Sequence, residues 1–416
     1  MAAATLAAGV QLLIHMSVPA LFAPHIVADE EPGGDLAVML TGGGARAAYQ
    51  VGLIKGIARH FPRLKFRIVT GVSAGAINAA YLAAKQGTLG QKAEQLDRMW
   101  CELSCDSIYQ FQWKAFLPFR SALASISPKK NRWAASKPHA LVDTTPLRDL
   151  LCRILSAAPG RPVPGIEANI RSGDLTALAL MTIDYSTGQT VRWVQGRSFD
   201  IHEAPNRRTA ITKFTIEHVL ASAALPFVFP AVNIQGEWHG DGGIRLAAPL
   251  SSAVHLGARR IIAMSTGYQP TAEEAVTREI TGYPPAAQIL NQLVNAIFLD
   301  VIDEDVVRME RMNEMIRKLH PAEREGLKPI DLLVLRPSVD LGKLAGEFEH
   351  LLPRKIKLLV RSLGAKETES PDFISLLMFE PEYTRRIIEI GQADVETRLP
   401  EIREFLGEEL ILTAAR

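Results

Sequence analysis

The sequence predicts an α/β protein with a mostly parallel central sheet, helices on both faces and a helical C-terminal extension. Three observations carry that reading. Leu36–Leu40 is a short apolar run that ends in Gly42-Gly43-Gly44 and gives way to a helical apolar pattern over 45–60. The same order follows again, with a strand over 66–70, a glycine turn over 71–75 and an alanine-rich helix over 74–85. Long helical patterns then fill about 286–319 and the tail after Leu341. A strand that is apolar at every position is buried on both faces, and repeated strand–turn–helix units are the grammar of parallel strands with covering helices.

In chain order, the first 34 residues read as an apolar leader and linker. Residues 2–22 are mostly apolar, but the first Lys or Arg is Arg46, so a secretory signal lacks its basic start. Pro19 and Pro24 interrupt the run that a spanning helix needs. A leader that touches a membrane or packs on the domain is the first reading, a cleaved signal the second and a spanning helix the last. Residues 35–340 read as the main α/β domain, and 341–416 as the helical extension. Further strands are expected at 177–184, 190–194, 260–265 and 330–335. Within about 101–165 lies a lid or insertion. Its part from 107 to 142 carries Lys114, Arg120, Lys129, Lys130, Arg132 and Lys137 with Trp113, Phe116, Phe119 and Trp133. It is either a soluble insertion whose rings pack inward or a surface for anionic headgroups and the interfacial layer.

Composition narrows the function. Net charge is +1 and aromatics make up 6%, so nothing argues for nucleic acid. Three cysteines, Cys101, Cys105 and Cys152, make neither a disulfide framework nor a zinc pattern, and their low count fits the cytoplasm. Cys101 and Cys105 read as buried apolar groups one helical turn apart. The acids Asp300, Asp303, Glu304 and Asp305 have no metal-ligand spacing and read as a solvated helix face, so no metal is expected.

Gly71-Val72-Ser73-Ala74-Gly75 is a G-x-S-x-G sequence between a predicted strand and a predicted helix. An esterase nucleophile must stand on a sharp turn with its hydroxyl exposed, and flanking glycines let the chain reverse there. The start of the following helix adds amides and a positive dipole end. Gly42-Gly43-Gly44 with Arg46 also follows a strand and opens a helix. Successive glycines let amides converge on a negative atom, which suits an oxyanion or a phosphate. The nucleotide-binding patterns fail, because no Gly-Lys-Ser/Thr follows and the glycines are contiguous. Asp241-Gly242-Gly243 is a turn aspartate, which alone is weak evidence. Asn78 reads as helix surface.

Taken together, these motifs resemble the patatin-like phospholipase family. The resemblance rests on 42–46 as oxyanion motif, 71–75 as nucleophile elbow and Asp241-Gly242-Gly243 as aspartate motif, in that order. It extends to Ala221-Ser222-Ala223-Ala224-Leu225-Pro226-Phe227-Val228-Phe229-Pro230, to 143–147 and to the helix containing 305–313. It runs from about Asp35 to beyond Phe379. One departure is Ala47, where many members carry glycine.

The resemblance implies a patatin-like three-layer fold and a serine acyl hydrolase of phospholipids or related lipids. It implies a Ser73–Asp241 dyad without histidine or cofactor. Gly42, Gly43 and Gly44 would hold the oxyanion, helped by Arg46, and a lipid or membrane surface would be the substrate partner. The residues themselves leave a Ser–His–Asp triad open, because His255, His320 and His350 follow Asp241. His255 reads as packed and the other two as exposed, while His239 adjoins Asp241. A carboxylesterase or thioesterase on soluble esters and a non-catalytic lipid-binding regulator are the rival functions.

Overall fold

The computed structural model describes residues 36–111, 140–197, 201, 203–276, 283, 286–299, 301–324, 326–354, 357 and 372–415. The leader over 1–34 and most of the basic aromatic stretch lie outside them. A nine-stranded sheet organises the chain. Its strands are β1 (Leu36–Leu40), β2 (Ile68–Val72), β3 (Ala177–Asp184), β4 (Thr190–Gly196), β5 (Arg207–Ile211), β6 (Val232–Ile234), β7 (Glu237–Asp241), β8 (Arg260–Met264) and β9 (Asp331–Leu335).

Across the sheet the order is β9-β8-β1-β2-β3-β4-β5, and β7 joins β3 while carrying β6 on its other side. The first five strands of this order run parallel. β3–β4 and β3–β7 are antiparallel, so the sheet is mostly parallel with an antiparallel flank. Alternation in β1 shows burial on both faces. Leu36, Val38 and Leu40 enter one core cluster, while Ala37 and Met39 enter another. The first cluster lies under α1 (Ala48–His60), α2 (Ala74–Ala84), α3 (Leu89–Cys101) and the C-terminal helices. The second is closed by Ala253, Leu256, Ile302 and Met309 from helices on the opposite face.

Several expectations change. The strand placed at 66–70 is displaced to Ile68–Val72 and so runs directly into the elbow. Arg207–Ile211, Val232–Ile234 and Glu237–Asp241 are strands that short length and glycine content conceal. The helix expected over 286–319 is two helices, Ala286–Val294 and Val301–Lys318, with a π-helical turn at Asn295–Leu299 between them. Cys101 ends α3 and Cys105 opens the next helix, so they do not share a helical turn. Cys105 is buried and Cys101 is half-buried. Asp305 is not on a solvated face. It is buried, and its Oδ2 accepts the Leu250 amide at 2.8 Å. Among the described residues, no helix is long and apolar enough to cross a membrane.

Candidate active site

The strand register sets Ser73 beside Asp241. β2 ends where Val72 pairs with Met181 of β3, and the next residue of β3, Thr182, pairs with Asp241 at the end of β7. One strand thus carries the elbow and the aspartate at successive positions. Ser222 reinforces the joint, because its Oγ accepts the Ser73 amide at 3.2 Å and donates to the Met181 carbonyl at 2.7 Å. The Asp241 amide reaches the Ala224 carbonyl at 3.1 Å, so the segment around 222–224 touches both.

Ser73 has φ 56° and ψ −134°, a conformation that L side chains rarely adopt, at the N-cap of α2. The elbow glycines allow this. A Cβ at Gly71 would meet Ala79 Cβ at 2.6 Å, and one at Gly75 would run into the carbonyls of Leu40 and Thr41. Asn78 is no surface residue. It is fully buried, donates to the Ala47 carbonyl and Gln50 Oε1 at 3.1 Å, and accepts Trp100 Nε1 at 2.9 Å. It thereby ties the helix after the elbow to the helix after the glycine loop.

In the glycine loop the carbonyls are held and the amides are not. Gln50 Nε2 binds the Thr41 carbonyl at 2.9 Å, and the Thr266 hydroxyl binds that of Gly42. Among the described residues, nothing accepts from the amides of Gly42, Gly43 or Gly44. Gly43 at φ 140° and Gly44 at φ 55° need glycine's freedom. Arg46 corrects an expectation. Its guanidinium is buried and bound to Asp372, and its Nε reaches Ser375 Oγ at 2.5 Å, so the side chain is committed to the C-terminal region.

Asp241 is fully buried at the end of a strand rather than within a loose turn. Its Oδ1 accepts the Gly243 amide at 2.8 Å, and Oδ2 has no partner with full hydrogen-bond geometry among the described residues. Burial pushes its carboxyl up to about 7, against the opposing pull of the Ser73 hydroxyl and the Gly243 amide. Gly242 abuts the Met181 carbonyl, and Gly243 lies under the Phe298 ring, leaving no space for a side chain at either.

The histidines stand apart. His255 is buried and packed, and His320 and His350 are exposed. His239 is fully buried with Nδ1 3.2 Å from Thr182 Oγ1, and burial lowers its affinity for a proton. It does not line the cavity beside Ser73.

That cavity measures about 490 Å³ including its open mouth. Ile77, Leu147, Phe229, Phe298, Leu376 and Phe379 form much of its wall, and among the described residues Ser73 supplies the one polar side chain in the lining. A second space of about 330 Å³ lies beside Gly42, Gly243 and Phe298, which also lines the first. An apolar chamber with a single hydroxyl suits an extended hydrocarbon chain joined to an electrophilic carbonyl. As supports, Asn78 and Thr266 carry no motif of their own, and Ser222 is visible in the sequence only as part of the segment 221–230. A lone polar residue in the otherwise apolar helix 74–84 was the available signal for Asn78.

The chain matches the model of the patatin-like phospholipase family over residues 38–254. Among solved structures it is similar to VipD from Legionella pneumophila, with 15% identity, 89% of this chain and 67% of that chain covered, and a TM-score of 0.33. It is also similar to human GIVD cytosolic phospholipase A2, with 11% identity, 92% of this chain and 60% of that chain covered, and a TM-score of 0.43. A third similarity is to the type III effector protein ExoU, with 13% identity, coverages of 92% and 77%, and a TM-score of 0.26. The chain therefore spans about three fifths of the human protein's length. A search of curated proteins found no match.

Proposed function

The chain belongs to the patatin-like phospholipase family, whose members are lipid acyl hydrolases, and from that premise we propose that Ser73 and Asp241 form its catalytic dyad. The reaction is hydrolysis of fatty-acyl esters of phospholipids or related lipids through an acyl-enzyme. The observation that carries this reading is the apolar cavity whose one polar side chain, among the described residues, is Ser73. A carboxylate is a poor base in water, but a buried one poised near 7 can take a hydroxyl proton at neutral pH.

In the first half-reaction, ionised Asp241 accepts the Ser73 proton as Oγ bonds to the ester carbonyl carbon. The amides of Gly42, Gly43 and Gly44 receive the developing oxyanion, each donor contributing about 3 kcal/mol. Collapse of the tetrahedral species breaks the ester bond, and Asp241 returns the proton to the leaving alcohol. Water then attacks the acyl-serine with Asp241 again as base, releasing the fatty acid and restoring the hydroxyl. The substrate would be drawn from a lipid surface.

The test is hydrolysis of phospholipid vesicles and of short soluble esters by wild type, Ser73→Ala and Asp241→Asn. Loss of both activities in both variants, with phospholipid preferred by wild type, is the expected result. Full activity in either variant removes the dyad. A wild type that cleaves only soluble acyl esters or thioesters moves the protein to the carboxylesterase reading, and an inactive wild type that binds lipid moves it to the regulator.

A further inference from the structure

We propose that Asp372 is the positioning residue that holds the oxyanion loop and the cavity wall in register, a reading that rests on the Ser73–Asp241 site above. Asp372 opens the short helix Asp372–Leu377, 118 residues beyond residue 254, where the family match stops. Its two oxygens face two different parts of the site. Oδ1 pairs with the buried guanidinium of Arg46, two residues after the glycine run, and Oδ2 accepts Asn295 Nδ2 at 2.8 Å. Asn295 begins the π-helical turn that carries Phe298, a wall of both cavities.

The rest of the segment continues the joint. Ser375 Oγ accepts from Arg46 Nε and donates to the Asp372 carbonyl, both at 2.5 Å. The Leu376 backbone lies so close to Gly44 that no Cβ fits between them. Leu376, Leu377 and Phe379 then complete the wall beside Ser73. Gly342 keeps the space beside the ion pair clear, since a Cβ there would stand 2.9 Å from Arg46 Nη2. A buried carboxylate and guanidinium hold each other firmly because neither can return to water without leaving the other uncompensated. The C-terminal extension is thus part of the site rather than an appendage to it. Asp372 touches no reacting atom, and it acts through Arg46 on the loop and through Asn295 on Phe298.

The two arms predict separable kinetic effects. On a soluble short-chain ester, Asp372→Asn and Ser375→Ala loosen the Arg46 arm and lower kcat, by about tenfold for Asp372→Asn and a few-fold for Ser375→Ala. Asn295→Ala loosens the Phe298 wall and raises KM a few-fold while leaving kcat within about twofold. Assays run on the full chain, well below each variant's thermal midpoint, with the folded fraction measured by circular dichroism. Wild type and Ser73→Ala are run alongside, so that an inactive wild type or an active Ser73→Ala identifies failure of the dyad reading instead. If Asp372→Asn does not fold, Ser375→Ala and Asn295→Ala still decide. Wild-type kcat and KM in both, or a kcat loss that only tracks the folded fraction, overturns the positioning role.

Discussion

A methyl group on Gly42 would stand 2.9 Å from Cβ of Ser73, closer than real Cβ atoms approach one another. The glycine loop and the elbow are therefore packed against each other, with no room for a side chain between them. Gly42→Ala should displace the Ser73 hydroxyl by a fraction of an ångström and lower kcat by roughly 100-fold. The thermal midpoint should fall as well, because Ser73 Cβ moves only with its backbone and the elbow itself must give way. Steady-state kinetics beside a melting curve checks both halves.

Ser73 sits at φ 56° and ψ −134°, where only glycine is unstrained. Such strain costs about 1–3 kcal/mol and is retained where function needs it. Ser73→Gly should therefore be inactive and yet more stable than wild type by about 1 kcal/mol. Ser73→Ala, which keeps the strain, should be inactive without that gain. Denaturant titration of the three proteins measures the difference.

As the proposed base, Asp241 must be ionised to accept a proton, and its carboxyl is pushed up to about 7 by burial. Hydrolysis should thus rise with pH, with the acid limb of kcat/KM centred near 7 rather than near the ordinary carboxylate value of 3.8. Stability moves the other way. Below 3.8 the carboxyl is protonated folded and unfolded alike. As pH rises to about 7 the unfolded chain ionises first, so the wild type loses stability, and above about 7 that loss is complete. Asp241→Asn should be inactive, and its stability relative to wild type should grow between about pH 4 and 7 and then stay level. Melting curves at pH 4, 6 and 8 read this directly.

What the sequence revealed was local chemistry. The glycines at 42–44, 71 and 75 are legible because a sharp reversal and a set of free amides each need glycine within a few residues of where they act. The strand β3 was legible over its full length because all eight of its residues are buried. Asp241 was legible as a residue but not as a strand end, since β7 contains Gly240 and owes its place to pairing with Thr182–Asp184, more than fifty residues earlier.

Arg46 shows the opposite limit. Its sequence neighbours place it beside an oxyanion loop, but its partner Asp372 lies 326 residues away, and no pattern within one sequence couples them. Asn78 likewise looked like helix surface until Trp100 and Gln50 closed over it. The supports of the site come from packing distant segments, whereas its motifs come from backbone needs that are met within one turn.

In the proposed reaction Ser73 is a nucleophile activated by Asp241. Intact-protein and peptide mass spectrometry after treatment with an alkyl fluorophosphonate tests it most directly. One phosphonyl group on the peptide containing Ser73 is expected in wild type, none in Ser73→Ala, and a much slower reaction in Asp241→Asn. Labelling of Ser73→Ala at the wild-type rate, or an adduct mapped to a different residue, would contradict it.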